Sequence, residues 1–377
     1  IRRTTDLTYR CYASCSFGIE GILANELRDL RFENVAAQDA RVYFDADEMG
    51  VAVANVFLRT ADRVYIILKE FEARSFDQLF EGVKSIEFAD IMPSDARFPV
   101  DANAVRSELG SVSDVQAISK KAIVRSLQRV YKTERFAENG TMFNVYVNLF
   151  KDLVTVALNS SGAGLNRRGY RLKNAQAPLK ETLAAALIDV SRWRSRDFYD
   201  PLCGSGTIAI EAAMMAAHMA PGIKRRFDAQ TYNDTFRKVF ADAKELAKSK
   251  IVKPQMEIFA SDIDRNVLEL AKEHAYNMDV GQHIQFAQKD VKKFEQPNRP
   301  ATIISNPPYA VRMGEEKDII KLYREMGDVF IPLEDTMIFI ITADDNFENR
   351  YGVKADKKRK LYNGNIRCTY YQYFKRF

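Results

Sequence analysis

Two short loops carry the residue types in this sequence that could perform chemistry. They are Asp200-Pro201-Leu202-Cys203-Gly204-Ser205-Gly206-Thr207 and, roughly a hundred residues later, Asn306-Pro307-Pro308-Tyr309. Each follows a β-prone run, and open α/β sheets bind ligands beyond the carboxyl ends of their strands. We therefore interpret the first as a nucleotide-cofactor loop and the second as a catalytic loop on one sheet.

The first loop indicates which kind of cofactor it binds. Gly204 and Gly206 lack a Cβ atom, so a ligand can approach the backbone amides at the start of the helix-prone segment that follows. The third Gly of a dinucleotide fingerprint and the Lys of a phosphate-binding loop are both missing. Asp200 would repel a pyrophosphate but attract an ammonium or sulfonium group, which favours S-adenosylmethionine. Taken alone, the loop is also compatible with an ordinary glycine turn between a strand and a helix.

Two further β-prone runs end near acidic residues that suit the rest of such a cofactor. Residues 256–261 are followed by Asp262 and Ile263, and an acidic residue at this position commonly hydrogen-bonds ribose hydroxyls. Residues 284–288 end near Asp290, which could reach the adenine edge. The cofactor contacts predicted on these loops are Asp200, Cys203, Gly204, Ser205, Gly206, Thr207, Asp262, Ile263, Asp290 and Asn306.

The second loop resembles the Asn/Asp-Pro-Pro-Tyr/Phe motif of methyltransferases that act on planar nitrogens. An exocyclic amino group conjugated with a ring is a poor nucleophile, and it improves when acceptors hold its hydrogens in a tetrahedral arrangement. The side-chain oxygen of Asn306 and the carbonyl of Pro307 could supply two such acceptors, while Tyr309 could stack on a flipped base. Asn306, Pro307, Pro308 and Tyr309 are therefore the predicted catalytic residues.

Composition narrows the class of protein. The 377 residues predict two or three domains, and 46% hydrophobic and 28% charged residues are ordinary for a globular chain. The formal net charge of +5 permits a nucleic-acid partner without requiring one. Four cysteines and three histidines form neither a disulfide framework nor a zinc-site pattern, so we expect no metal.

No targeting feature is visible in the sequence. No apolar stretch approaches the ~20 residues needed to span a membrane, and there is no signal peptide, so we expect a cytoplasmic protein without a membrane partner. Because the chain starts at Ile1 rather than Met, we expect its beginning to be missing or trimmed.

The front half of the chain resembles two known modules. Residues 1–70 alternate strand and helix patterns like a ferredoxin-like domain, and residues 71–165 resemble a THUMP domain, an RNA-binding module. The helix predicted over 114–131 carries Lys121, Arg125 and Arg129 on one face, where RNA phosphates could bind. Without the resemblance, such a row of cations is more simply a solvated helix face.

The segment after these modules is basic. Arg167, Arg168, Tyr170 and Arg171 lie within residues 165–173, and Arg312 follows the catalytic loop. Charged and aromatic side chains together suit a grip on RNA backbone and bases, so all five are predicted RNA contacts. An exposed linker is the alternative for the segment. Further on, residues 220–255 are expected to form an insertion near the substrate.

The order of these parts resembles the large-subunit ribosomal RNA guanine-N2 methyltransferases over essentially the whole chain. This resemblance implies an α/β, Rossmann-like, seven-stranded class I methyltransferase domain over 166–377, preceded by α+β ferredoxin-like and THUMP domains. Its sheet would be completed by a hairpin at Asn363-Gly364. The resemblance also implies that Glu181 and Thr182 touch the methionine portion of the cofactor, with a purely structural role as the alternative. Several family members carry a second methyltransferase domain after this one, and this chain ends where that domain would begin. We therefore expect only the first activity, methylation of guanine N2.

Three other functions share some of these features. An adenine-N6 methyltransferase of DNA or RNA would use the same tetrapeptide, and so would a protein-glutamine methyltransferase. A ribosome-assembly or RNA-binding factor with a vestigial pocket is the non-enzymatic alternative. Guanine rests on the resemblance alone, because the tetrapeptide serves either amine. The expected partner is ribosomal RNA or an assembling ribosomal particle, and the oligomeric state stays open.

Overall fold

A computed structural model describes residues 8–171, 179–309 and 316–374 of the chain. Its strands form two seven-stranded sheets, one in the front half and one in the back half. The front strands are β1 (Tyr9–Ser14), β2 (Glu33–Gln38), β3 (Arg41–Ala46), β4 (Arg63–Glu72), β5 (Val100–Val105), β6 (Val145–Phe150) and β7 (Leu153–Asn159). The back strands are β8 (Asp197–Asp200), β9 (Ile258–Asp262), β10 (Gln285–Gln288), β11 (Ala301–Ser305), β12 (Thr336–Thr342), β13 (Lys357–Asn363) and β14 (Ile366–Tyr373).

The α-helices connect these strands and cover the sheets. In chain order they are α1 (Glu20–Asp29), α2 (Glu48–Phe57), α3 (Phe76–Lys84), α4 (Val112–Tyr131), α5 (Glu181–Ser191), α6 (Thr207–Ala216), α7 (Asp234–Ser249), α8 (Arg265–Asn277), α9 (Glu316–Phe330) and α10 (Phe347–Tyr351). Within the three described ranges, no helix is long and apolar enough to cross a bilayer.

The front sheet has the strand order β2-β3-β1-β4-β7-β6-β5. Strand β4 pairs with β1 on one side and with β7 on the other, so the two modules predicted in the front half share one continuous sheet. The domain boundary predicted between residues 70 and 71 falls inside β4. The α+β character of the front half is confirmed, and its two modules are joined by strand pairing rather than by a linker.

The back sheet has the order β10-β9-β8-β11-β12-β14-β13. Its first five strands are parallel, and β14 is antiparallel to both β12 and β13. Every residue of the central strand β11 is buried, as expected for a parallel strand covered on both faces. The hairpin turns at Asn363 and Gly364, where Gly364 has φ of 62°. The seven-stranded class I methyltransferase arrangement and its closing hairpin are confirmed.

The segment between α6 and β9 connects the two halves of the molecule. The backbone N–H of Gly222 donates to the carbonyl of Val56 in α2 at 2.9 Å, and α7 packs against α2. The guanidinium of Arg225 donates to the carbonyls of Gly164 and Arg167, at 2.5 and 2.8 Å. Residues 220–255, expected beside the substrate, therefore contact the front half and the segment just after it, at Gly164 and Arg167, and hold both in place.

Candidate active site

The predicted cofactor loop begins where β8 ends and stops where α6 begins. Its backbone is held by two hydrogen bonds, from the N–H of Cys203 to Ser261 at 2.9 Å and from that of Gly206 to Cys203 at 2.8 Å. Gly204 and Gly206 have φ of 51° and 85°, in the left-handed region that favours glycine. A Cβ atom on Gly206 would also lie 2.9 Å from the Cβ of Ala271 in α8. The loop therefore requires glycine at 206 for both backbone angle and space.

Asp200 provides a buried acceptor at the base of this loop. Its side chain is inaccessible to solvent, and its Oδ1 atom has no hydrogen-bond partner among the described residues. Burial, and next the charge of Asp262, raise the pKa of Asp200 well above its usual value. An ammonium or sulfonium group placed here would relieve this cost, because a cation favours the ionised carboxylate. The arrangement fits the charged end of S-adenosylmethionine.

Asp262, Ile263 and Asp290 lie at the ends of the adjoining strands. The Asp262 carboxylate accepts from the N–H groups of Gly204, at 2.9 Å, and Asp264, at 3.0 Å. The side chain of Ile263 is 60% exposed beside it and offers an apolar surface for a flat ring. Although burial opposes the shift, hydrogen bonds and the charge of Lys292 lower the pKa of Asp290, so its carboxylate can accept from an amino group. These side chains fit the ribose and adenine portions.

The catalytic loop leaves β11, the neighbour of β8 in the sheet. Asn306 is partly buried, and its Oδ1 atom accepts a hydrogen bond from the Tyr309 hydroxyl. Burial raises the pKa of Tyr309, so this hydroxyl is a neutral donor. The carbonyl of Pro308 accepts from the Tyr323 hydroxyl at 3.3 Å, which ties the loop to α9. In this arrangement Tyr309 occupies the acceptor predicted for the target amine.

Cys368 is a neighbour of the catalytic loop that the sequence analysis did not single out. Its Sγ atom in β14 lies 3.9 Å from the Tyr309 hydroxyl oxygen. Cys368 lies 59 residues after Tyr309 in the sequence, and no local pattern indicates the contact. It arises only because the closing hairpin folds back along β12 to the same edge.

Glu181 and Arg171 form a buried ion pair behind the cofactor loop. The Arg171 Nε atom lies 3.1 Å from Glu181 Oε1, and the Arg171 guanidinium also donates to the Thr207 hydroxyl at the start of α6. Burial raises the pKa of Glu181, and the positive charge of Arg171 opposes this shift. The Thr182 hydroxyl donates to Asp62 of the front half at 3.0 Å. Glu181 and Thr182 thus contact protein groups, and Arg171 is positioned to support the loop rather than RNA.

Two of the predicted RNA contacts are buried inside the protein. Arg168 is 1% exposed, and its Nε atom donates to Oε1 of the equally buried Glu211 at 2.9 Å. Tyr170 packs against His274, with ring centroids 5.7 Å apart. Neither side chain can reach an RNA strand, so the prediction of direct RNA contact is wrong for both. Basic and aromatic residues in this segment serve the packing of α6 against the front half.

Of five other predicted RNA contacts, four are exposed and one lies outside the described residues. Arg167 is exposed, whereas Arg312 lies outside the described residues. On α4, Lys121 and Arg125 are exposed, and Arg129 is exposed but paired with Glu87. The side chains of Lys121, Arg125 and Arg129 share one face of the helix, so an RNA-binding role for this face stays a prediction.

The fold and the site together define a class of protein. A mostly parallel sheet closed by an antiparallel hairpin, a glycine loop after β8 and acidic side chains after β8 and β9 are the features of a class I methyltransferase that depends on S-adenosylmethionine. The Asn-Pro-Pro-Tyr loop stands on the strand next to that cofactor loop.

Comparisons with known proteins agree with this class. Residues 168–372 match the family described as RMKL-like methyltransferase domain, residues 10–65 the RlmL ferredoxin-like domain and residues 73–159 the THUMP domain. The chain therefore belongs to the RMKL-like methyltransferase family. A Bacillus subtilis (strain 168) protein named YpsC, described as a candidate RNA methyltransferase, is 42% identical over 97% of this chain and 96% of its own length.

Two further proteins show similarity over most of the chain. The Vibrio campbellii (strain ATCC BAA-1116) ribosomal RNA large subunit methyltransferase K/L is 33% identical over 94% of this chain, which spans 52% of that protein. The crystal structure of SMU.472, a candidate methyltransferase complexed with SAH, superposes with a TM-score of 0.93 at 35% identity, covering 99% of this chain and 100% of that one.

Proposed function

We propose that this chain transfers a methyl group from S-adenosylmethionine to an exocyclic base nitrogen of RNA, namely N2 of a guanine in large-subunit ribosomal RNA. The observation that carries the proposal is the position of Asn306-Pro307-Pro308-Tyr309 at the end of β11, directly beside the strand that presents the glycine loop. This placement brings an amine-binding loop next to a cofactor loop.

The cofactor end of the site is built from the ends of β8, β9 and β10. In our proposal Asp200 faces the ammonium of the methionine portion, Asp262 the ribose hydroxyls and Asp290 the adenine amino group. S-adenosylmethionine supplies an electrophilic methyl group on a sulfonium, and no residue of this chain needs to be methylated in turn. The Oδ1 atom of Asp200, unpartnered within the described ranges, and the exposed side chain of Ile263 support this arrangement.

The amine end of the site is the catalytic loop. An incoming base amine would replace the Tyr309 hydroxyl as the hydrogen-bond donor to Asn306 Oδ1, and the freed Tyr309 ring could then stack on the base. Hydrogen bonds to Asn306 and to the Pro307 carbonyl orient the nitrogen lone pair toward the methyl carbon. The bound cofactor would supply the methyl group, its C–S bond breaking as the N–C bond forms, and the methylated nitrogen would release its proton to solvent. Positioning supplies most of the rate acceleration.

The choice of RNA rests on the front half and on the relatives. The chain matches the THUMP domain over 73–159, and two similar proteins are described as a candidate RNA methyltransferase and a ribosomal RNA methyltransferase. Guanine is proposed from the resemblance of the ordered motifs to the guanine-N2 family. An adenine substrate would require no change in the catalytic tetrapeptide.

The test is methyl transfer from labelled S-adenosylmethionine to ribosomal RNA from a strain that lacks this protein, followed by nucleoside analysis. We expect labelled N2-methylguanosine in the large-subunit RNA. Labelled N6-methyladenosine would retain the reaction class and contradict the base. Label in DNA or protein alone would contradict the RNA substrate, and failure to bind S-adenosylmethionine in calorimetry would favour the non-enzymatic factor.

A further inference from the structure

A basic cleft of about 1110 Å³ opens between the two halves of the molecule, away from the catalytic loop. Its walls come from α1, from the segment that joins α5 to β8, and from the hairpin of β13 and β14. Its positive side chains are Arg28 on α1, Arg192, Arg194 and Arg196 on the joining segment, and Lys357–Arg359 on β13. Among the described residues that line the cleft, Asp189 is the only acidic one.

The protein offsets part of this positive charge, because Asp189 interacts electrostatically with Arg194, Arg359 and Arg192. Lys358 pairs with Glu348 at 2.9 Å, and Arg196 pairs with Asp335 at 2.9 Å. In the described part of the chain, none of the other cations in the cleft lies within ion-pair distance of a carboxylate; these are Arg28, Arg192, Arg194, Lys357 and Arg359. Like charges held together in a concave wall raise the local potential and attract an anionic partner.

Strand β13 runs from the cleft toward the catalytic loop. Strand β13 is the edge of the back sheet and runs from Lys357, in the cleft, to Asn363. The Asn363 side chain accepts from the backbone N–H of Lys180 at 3.4 Å, and β14 brings Cys368 to Tyr309. The six residue-to-residue steps from Lys357 to Asn363 span ~20 Å. Exposed Lys360 lies between the two ends.

We propose that this cleft binds the phosphate backbone of the RNA substrate on one side of the target nucleotide. The proposal rests on the RNA methyltransferase function given above and adds a second RNA surface, separate from α4. A ~20 Å path along β13 is long enough to face several consecutive phosphates of one RNA strand. Such contacts position RNA without reading its sequence.

The shape of the site favours a nucleic acid over other anions. A flat bilayer cannot enter a cleft whose cations line its inner walls, whereas a strand with a charge on every nucleotide can. A single small anion would be held by groups that converge on one point. Here the cations are spread over three separate segments, α1, the joining segment and β13. This spread suits a linear polyanion.

The test uses a charge reversal inside the cleft and a matched reversal outside it. The cleft variant is Arg192→Glu with Lys357→Glu, and the control is Lys238→Glu with Lys253→Glu; all four side chains are exposed. Binding of a fluorescein-labelled, 20-nucleotide single-stranded RNA is measured by anisotropy over a range of salt concentrations. We expect the cleft variant to bind roughly 10- to 100-fold more weakly. Its salt slope should fall by about 1.4, because each phosphate that is no longer neutralised lowers the slope by about 0.7.

The controls separate this proposal from the proposed function. The control variant should bind the RNA within about threefold of the native protein, and both variants should bind S-adenosylmethionine normally in calorimetry. If the native protein binds and methylates RNA while the cleft variant matches the control, the cleft proposal alone is overturned. If the native protein neither binds nor methylates RNA, both proposals fall. Loss of binding to phosphatidylserine vesicles with unchanged RNA binding would assign the cleft to a membrane instead and overturn the proposal.

Discussion

At the scale of single residues, Asn306 and Tyr309 are coupled before any substrate is present. The Tyr309 hydroxyl satisfies the Asn306 Oδ1 atom, which would otherwise be a partly buried acceptor without a donor. A base amine has to displace this hydroxyl, so the two side chains exchange partners when the base enters. The free protein therefore holds its amine acceptor in place at little cost.

Replacing Asn306 with Ala should separate catalysis from cofactor binding. We expect kcat to fall by roughly 100-fold or more, because a hydrogen bond that orients the reacting nitrogen is removed, while S-adenosylmethionine binds as before. Tyr309→Phe is the matched control: it removes the partner hydroxyl but keeps the ring, and it should retain most of the activity. Single-turnover methyl transfer and calorimetry measure the two effects. Full turnover by Asn306→Ala would contradict the proposed role of the loop.

Glu26 is a second residue whose surroundings have a measurable consequence. Its carboxylate accepts from the backbone N–H and the hydroxyl of Thr60, at 3.2 and 2.9 Å. Burial raises the pKa of Glu26 to about 7, and the hydrogen bonds from Thr60 oppose this shift. Since the pKa is higher in the folded than in the unfolded chain, the folded state binds the proton more tightly.

The stabilising effect of Glu26 should therefore be present at low pH and lost at high pH. It is complete below the unfolded pKa of 4.5 and disappears as the pH rises through about 7. Between these limits we expect the free energy of unfolding to fall by about 1–3 kcal/mol from this group. Urea unfolding of Glu26→Gln should lack this part of the pH dependence, and exposed Glu33→Gln should keep it. Equal pH profiles for native protein and Glu26→Gln would refute the assignment.

At the scale of elements, the turn from β8 into α6 depends on glycine at 206. Its φ of 85° disfavours side chains, and an added Cβ would meet Ala271 at 2.9 Å. We expect Gly206→Ala to lower the free energy of unfolding by about 1–3 kcal/mol and to weaken S-adenosylmethionine binding. Gly204→Ala is the control for stability, because its φ is also positive but no described atom lies within 4 Å of the added one. If Gly206→Ala lowers the free energy of unfolding no more than Gly204→Ala does, the contact with α8 is unimportant.

The buried ion pair of Arg168 and Glu211 holds helix α6 against the front half. Arg168 donates to Glu211 in α6 and also to the carbonyl of Arg59, at 2.6 Å, in the front half. Removing one partner of a buried pair leaves an uncompensated charge, which costs far more than the pair contributes. This explains why a segment that looks like a solvated linker in the sequence is fixed in the structure.

At the scale of the whole molecule, the two sheets are tied together by several such contacts. Arg59 donates to the carbonyl of Met219 at 2.6 Å, Gly222 to that of Val56, and Arg359 of β13 to that of Gly18. Buried side chains of both halves belong to one continuous hydrophobic cluster. Molecules whose parts share a core in this way tend to unfold together.

We therefore expect the front and back halves to unfold in one transition. Trp193, the single tryptophan, is 5% exposed in the back half and reports on that half by fluorescence. Far-UV circular dichroism reports on the helices and strands of both halves. The two signals should follow the same curve in urea. An earlier circular dichroism transition, with Trp193 fluorescence unchanged, would show that the front half unfolds independently.

Local chemistry in the sequence was sufficient to propose the candidate site, and the family resemblance supplied the class of the back sheet. Glycines 204 and 206, the acidic residues after successive strands and the Asn-Pro-Pro-Tyr loop are each recognisable within a few residues, and the Asn363-Gly364 turn marks the closing hairpin. Strand β2 has little local signal in the sequence, because its residues are almost all exposed and lack an alternating apolar pattern. Local signals identify strands and turns only where side-chain types follow the period of the element.

What the tertiary structure alone decided is which segments meet. The sequence could not show that β4 joins β7 into one front sheet, or that Cys368 reaches Tyr309. It predicted RNA contacts at Arg168 and Tyr170, which the packing of α6 against the front half instead buries. It also did not reveal the basic cleft, whose cations come from α1, residues 192–196 and β13. Burial and charge pairing depend on contacts between distant segments, and residue types read in order carry no information about those contacts.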